Sequence, residues 1–265
     1  MEKLALAKGS NSKKIKVALF NDNKLNKPIK LAVRKLGLYP KIYSFLDRFE
    51  LHDDISMKLI KKLINKEDPL VLEIGANIGQ DTNRFLKAFK NIKIYSFEPD
   101  TRAIRQFMKN VNNPKSKLIN MAISDKNGHI TLHLSSGSKQ FVGGKEAIVE
   151  WTASSTIKKP IGKSKFVKYE KDMEVKTVRL DDWVKENKIG TVDFIWADVE
   201  GAEKELILGG LNTLNEKTRY FYTEFGRETI YEGQSTLLKI QKMIPKFKII
   251  GVYGKNALMK NTKFT

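Results

Sequence analysis

Apolar and polar positions recur along this chain with two periods, and the switches between them mark out the elements. Residues 70–74, Leu-Val-Leu-Glu-Ile, form a short apolar run bounded by a Gly-containing turn, as a buried parallel strand does. Residues 81–90 continue with helical spacing, with Phe85, Leu86 and Phe89 on one side. A second β-rich run, Ile94 to Phe97, ends in Glu98-Pro99-Asp100. Asp100 or Thr101 then caps a helix to about residue 111, and Asn112-Asn113-Pro114 stops it. Residues 117–123 read as a third strand. Lys126-Asn127-Gly128 is a turn signal ahead of the alternating Ile130 to Leu134. Further on, the pattern predicts a strand at 174–178, a helix at 180–187 and a fourth parallel strand at 191–197. That fourth strand breaks into Asp198-Val199-Glu200-Gly201. A helix over 202–214, a strand from 219 that ends at Glu224, a helix over 235–244 and strands at 248–252 and 257–259 follow. Strands alternating with helices predict a doubly wound α/β sheet.

Two regions fall outside that rhythm. Residues 1–66 read as a basic, mostly helical extension, with helices at 28–35 and 41–49. A third helix at 55–65 is expected to be capped from His52-Asp53-Asp54. The main domain is expected over 67–265. Residues 135–172 are rich in Gly, Ser and Lys and have no helical period. A long loop in a compact domain usually carries function, so this segment reads as a substrate lid carrying Trp151, Ser154, Ser155 and Thr156. The alternative is that these are edge-strand residues. His129 and His133 share a strand face, but no acids stand near them in sequence to complete a metal site.

The chemistry is concentrated around the first turn, Glu73-Ile74-Gly75-Ala76-Asn77-Ile78-Gly79. Strand, Gly loop, helix, strand and terminal carboxylate is how such a sheet binds a nucleoside, with Glu98 accepting hydrogen bonds from the ribose hydroxyls. A dinucleotide fingerprint would need Gly at Asn77 and at Gln80, so NAD and FAD are disfavoured. Glu73 and the Gly75-x-x-x-Gly79 spacing suit S-adenosylmethionine better, because its amino acid end needs donors and acceptors and not a phosphate cradle. The plainer reading is a βαβ unit whose glycines only make a turn.

Composition narrows the chemistry further. The 265 residues are 30% charged and 41% apolar, as in a soluble globular protein, and no apolar run is long enough to span a membrane. No secretory h-region is visible, so the expected location is cytoplasmic. With no Cys, disulfides, thiolate metal sites and cysteine nucleophiles are excluded. The net charge of +19 sits at the ends: +10 in residues 1–66, +7 in 233–265 and only +2 between them. Such ends could attract an anionic partner: RNA, an anionic membrane surface or a phosphorylated sugar. The alternative is ordinary solvated helix faces.

Six short motifs recur in order over roughly residues 68–225. They are Glu73 to Gly79, Phe97-Glu98-Pro99, Ala122 to Asp125, Leu180-Asp181-Asp182-Trp183, Asp198 to Glu203 and Tyr222-Thr223-Glu224. Together they resemble the FkbM family of S-adenosylmethionine-dependent methyltransferases. The resemblance implies a class I methyltransferase fold, with a seven-stranded, mostly parallel sheet and one reversed strand. It also implies methylation of hydroxyl groups, often on sugars or related small molecules. Carried over by position, Glu73, Gly75, Ala76, Asn77 and Gly79 would surround the methionine part of the cofactor. Glu98 and Pro99 would hold the ribose side, and Met121, Ala122 and Ser124 would lie near the adenine. Asp198, Glu200 and Glu224 would stand at the methyl-transfer end, with Asp198 also near the cofactor. One departure is Trp196-Ala197 ahead of Asp198, where the family more often carries a Lys.

A sugar hydroxyl is a poor nucleophile and benefits from a base within hydrogen-bond reach. Asp198 or Glu200 is expected to take its proton, with Glu224 and Glu203 as second candidates. The alternative is that these acids only cap the next helix and pair with lysines. A divalent cation (Mg²⁺ or Ca²⁺) held by Asp198 and Glu224 is a variant left open and not favoured. The rivals are an RNA ribose 2′-O-methyltransferase using the basic ends and a non-catalytic nucleoside-binding protein. No Asp/Asn-Pro-Pro-Tyr motif follows the fourth strand, which argues against methylation of base amino groups.

Overall fold

A computed structural model describes residues 55–264 apart from 138, 143–144, 149–150, 162–166 and 227–229. The helices expected at 28–35 and 41–49, with most of the basic extension, lie outside the described residues.

The described chain starts with helix α1 (Met57–Ile64), and Ser56 caps it by accepting the Leu59 N–H. The cap expected from residues 52–54 is thus supplied two residues later. Ile60 and Ile64 are fully buried against Val71, Phe85 and Phe194, each contributing about 1.5–3 kcal/mol. Ile55 is buried in the same cluster. Strand β1 (Leu70–Ile74), helix α2 (Gln80–Ala88) and strand β2 (Lys93–Phe97) form the first crossover. Helix α3 (Thr101–Asn110) is capped by Asp100 and leads to β3 (Ser116–Ile119).

The chain then departs from expectation. Pairing of β3 with β2 ends where Glu98 N–H meets the Ile119 carbonyl, so Asn120 and Met121 swing free of the sheet. Ala122–Ile123 (β4) join another sheet, beside β5 (Gly128–Gly137) and the long β8 (Val167–Val178) in the order β4-β8-β5. Among the described residues of 135–172, the expected irregular lid is thus largely β-structure, with β6 (Lys139–Val142) and β7 (Lys145–Ile148) as a further hairpin. Its signal was period two: in β8, Tyr169, Met173, Val175 and Thr177 turn toward the protein, while Lys168, Glu170, Glu174 and Lys176 face out.

Helix α4 (Leu180–Glu186), β9 (Val192–Ala197), helix α5 (Glu203–Gly209) and β10 (Thr218–Glu224) follow. The helix expected to run to residue 214 stops at Gly209, and a π turn at Thr213–Lys217 enters β10. Helix α6 (Leu237–Met243), β11 (Phe247–Tyr253) and β12 (Asn256–Asn261) close the fold. The main sheet runs β11-β12-β10-β9-β1-β2-β3, and β12 alone is antiparallel to its neighbours. Alternation along the strands splits the core in two. Leu72, Ile74 and Ile195 join Trp183, Leu206 and Ile240 on one face. Val71, Ile94, Phe194 and Trp196 pack on Phe85 and Ile60 on the other.

At the far end of the strands, buried Asp193 accepts Leu70 N–H at 2.9 Å and pairs with Lys66 at 3.3 Å and Arg219 at 3.0 Å. This network ties β1, β9 and β10 together opposite the site. Among the described residues no helix is long and apolar enough to cross a membrane.

Candidate active site

The C-terminal ends of β1, β2 and β9 open into one cavity. Gly75, Ala76 and Asn77 line it from the first loop, Glu98 and Pro99 from the second, and Asp198 and Glu200 from the fourth parallel strand. Met121 and Ala122 form one wall, and Thr152, Ser155 and Thr156 close it from the segment between β7 and β8. Glu98 and Asp198, on different strands, face the same space.

The first loop is built for close approach. Gly75 adopts φ +88°, and a Cβ there would stand 1.7 Å from the Asp198 carbonyl, so only glycine lets β1 and β9 end side by side. Gly75 and Ala76 N–H both donate to the Phe97 carbonyl. Asn77 sits at φ +46° in the left-handed region, which Asn tolerates better than most residues. Its N–H donates to Glu98 Oε2 at 2.7 Å, while Asp100 N–H donates to Oε1 at 2.8 Å. Glu98 is thereby aimed and still has acceptor capacity for hydroxyl groups. Burial pushes its carboxyl up to about 7, and the two backbone donors pull against that rise. A carboxylate fixed beside a Gly turn, with Met121 and Ala122 across the gap, fits the ribose and adenine of a nucleoside.

Other expected cofactor residues lie behind this surface. Glu73 is buried beneath the loop, accepts from Thr82 and Ser96, and is pushed up to about 7 by burial. Gly79 does not line the cavity. Its missing side chain leaves room for Val111 and Phe107 of the α3 region. Ser124 is buried, its N–H held by the Val178 carbonyl. Trp151 and Ser154 also stand outside the lining. Trp151 is 42% exposed and its Nε1 donates to Ser154 Oγ.

At the other end, one carboxylate oxygen each from Asp198, Glu200 and Glu224 lie within 4.8 Å of one another. Glu224 comes from β10, beside the cavity and not in its wall. Burial drives the Glu200 carboxyl well above the ordinary range, and repulsion from Asp198 and Glu224 adds to it. Glu224 is raised by burial, and buried Glu203 is pushed up to about 8, chiefly by burial. Glu200 sits at φ +49° just before Gly201 at +93°, an elbow that throws its side chain back toward the cavity. Three acids this close cannot all be ionised at neutral pH without a counter-charge.

Reasoning from sequence missed Thr152, Tyr169 and Tyr231, while Ser155 and Thr156, expected on the lid, do line the cavity. Thr152 Oγ1 reaches Asn77, Thr156 Oγ1 donates to the Glu200 carbonyl at 2.7 Å, and Tyr231 donates to Glu200. No local pattern marks these contacts, because each acts across a long sequence separation. Trp196, in the strand where the resemblance implied a Lys, lies on the opposite face of the sheet, packed on Tyr222 and Phe85 with Arg84 over its ring.

A sheet ordered β3-β2-β1-β9-β10-β12-β11 with β12 reversed, a Gly turn after β1 and a buried acid at the end of β2 define a class I S-adenosylmethionine-dependent methyltransferase. Residues 73–248 match the methyltransferase FkbM domain, and the chain belongs to that family. It is 38% identical over 213 residues to the 2-O-methyltransferase NoeI of Sinorhizobium fredii, covering 77% of this chain and 84% of the relative. Among solved structures, it is similar to a methyltransferase FkbM from Methylobacillus flagellatus (13% identity, TM-score 0.45). That match covers 73% of this chain and 44% of the other, so the chain spans less than half of that protein's length. A putative caffeoyl-CoA O-methyltransferase from Staphylococcus aureus aligns over 95% of this chain and 100% of its own, at 12% identity and TM-score 0.42.

Proposed function

We propose that this protein is an O-methyltransferase acting on a hydroxyl of a sugar, glycan or related small molecule. The observation that carries the reading is the group Asp198, Glu200 and Glu224, gathered at the strand ends beside the nucleoside-binding loop. The 2-O-methyl activity in the name of its 38% identical relative supports the same class of acceptor atom. S-adenosylmethionine supplies an electrophilic methyl carbon. Glu98 and the 75–77 loop would hold its nucleoside. The rest of the chain's work is to align the acceptor oxygen with that carbon and to take its proton. Asp198 or Glu200 receives that proton, with Glu224 and Glu203 behind them. A carboxylate whose proton affinity is raised by burial is a better base at neutral pH than an exposed one.

The test is to incubate the protein with methyl-labelled cofactor and a panel of oligosaccharides, and to map labelled positions by mass spectrometry. Label in an O-methyl ether supports the reading. Label in no hydroxyl acceptor, with cofactor bound, would falsify it.

A second reading adds a divalent cation among the same three carboxylates, favoured by their mutual spacing. Oxygen donors of this kind suit Mg²⁺ or Ca²⁺. Turnover that persists in excess chelator removes it.

A further inference from the structure

The mechanism above leaves one buried polar chain unused. The Tyr231 hydroxyl donates to Glu200 Oε2 at 2.6 Å. The Tyr169 hydroxyl stands 3.2 Å from that of Tyr231 and 2.9 Å from the Ser154 carbonyl, and its single proton can be donated to either. Tyr231 is almost wholly buried, and its ring fills the space over Gly201, where a Cβ would meet ring carbons at 2.6–2.9 Å. The backbone of Glu200 is gripped as well, its carbonyl accepting from Thr156. A Pro160–Tyr231 bridge joins the two gripping segments. Glu200 in the left-handed region persists only because its surroundings over-determine it, and strain of this kind gathers at functional sites.

We propose that Tyr231, backed by Tyr169, is a positioning residue for methyl transfer: it holds the Glu200 carboxyl by Oε2 and leaves Oε1 for the acceptor hydroxyl. The inference rests on the O-methyltransferase reading and deepens it by naming what orients Glu200, one of the two carboxylates on the proposed proton path. The groups around that carboxyl are Asp198 after β9, Glu224 at the end of β10, Glu203 at the start of α5, and the two phenols. Lys255 acts on Glu224. Burial and the facing Glu200 raise the Tyr231 phenol far above its ordinary range, so it stays a donor at any working pH. A donor that cannot ionise aims a carboxylate without competing for the acceptor's proton.

Tyr231→Phe separates aiming from packing, because it keeps the ring over Gly201 and removes only the hydroxyl. We expect kcat to fall roughly tenfold, the scale of a lost hydrogen bond to a charged group, with acceptor KM and cofactor affinity near wild type. Tyr169→Phe should lose less. Tyr231→Phe should cost nothing further in a Glu200→Gln background. Wild-type kcat, a change confined to KM, or a full extra loss on top of Glu200→Gln would each overturn the proposal. An arm without acceptor uses low-temperature proton NMR. A downfield hydroxyl resonance should vanish in both Tyr231→Phe and Glu200→Gln, and its absence from the wild type would overturn the Tyr231–Glu200 link. If that resonance is present while no hydroxyl acceptor turns over, the reading under Proposed function has failed and the hydrogen bond has not.

Discussion

Thr152 Oγ1 donates a 2.6 Å hydrogen bond to Asn77 Oδ1, joining the segment that closes the cavity to the loop that would hold the nucleoside. Asn77 in turn aims Glu98 through its backbone. Thr152→Val keeps the shape and deletes the donor, leaving the Asn77 amide oxygen without it. Affinity for S-adenosylhomocysteine should fall about fivefold, near the 1 kcal/mol of one hydrogen bond, as read by titration calorimetry. An unchanged affinity would show that Asn77 needs no help from that segment.

Asp198 is the exposed member of the acid trio and lines the cavity. Asp198→Asn should lower single-turnover methylation about 100-fold or more, the usual scale for losing a general base. The cofactor should still bind. Turnover equal to wild type would remove Asp198 from the proton path and leave Glu200 as its terminus.

Glu73 gives a pH test with a definite sign. Its folded carboxyl is raised from 4.5 to about 7 by burial, so between those values the native state holds a proton that the unfolded chain has lost. Stability from this group is therefore highest below pH 4.5 and declines as pH rises through 7. The full loss is of order 3 kcal/mol at about 1.36 kcal/mol per pH unit. Glu98, also about 7, and Glu203, about 8, slope the same way. Glu73→Gln should flatten the decline in Tm of the cofactor-free protein between pH 5 and 8, measured by calorimetry. A slope as steep as wild type would place the titrating proton elsewhere.

Asp193 should matter for stability and not for chemistry. Asp193→Ala strands the Leu70 N–H and leaves Lys66 and Arg219 without their shared partner. The expected cost is about 3 kcal/mol in urea unfolding, the low end for breaking a buried pair, because both cations reach water. A loss of turnover with no loss of stability would contradict this role.

How much of this was legible in the chain depends on the range of the force involved. The apolar run at 70–74, Gly75, Gly79 and the acid ending the second strand mark the first crossover, because strand burial and turn chemistry act between near neighbours. The reversed last strand and the FkbM membership were legible only through the combination of six motifs. The strands within 135–172 do not stand out from their composition, because Lys, Ser and Gly mask a period of two. They are held by pairing, as of Leu132 with Met173, more than by intrinsic propensity.

The local code thus determined, by itself, which residues become strand, helix and turn around the first Gly loop, and that two acids follow the fourth parallel strand. Only the tertiary structure decided which carboxylates meet. It sent Glu73 inward to Thr82 and Ser96, gathered Glu224 to Asp198 and Glu200, and brought Tyr231 and Thr156 onto the Glu200 elbow. The physical reason is that a side chain's burial and charge environment are set by what other strands and loops bring against it. Nothing in the residues beside Glu200 encodes a phenol supplied from thirty-one positions further along.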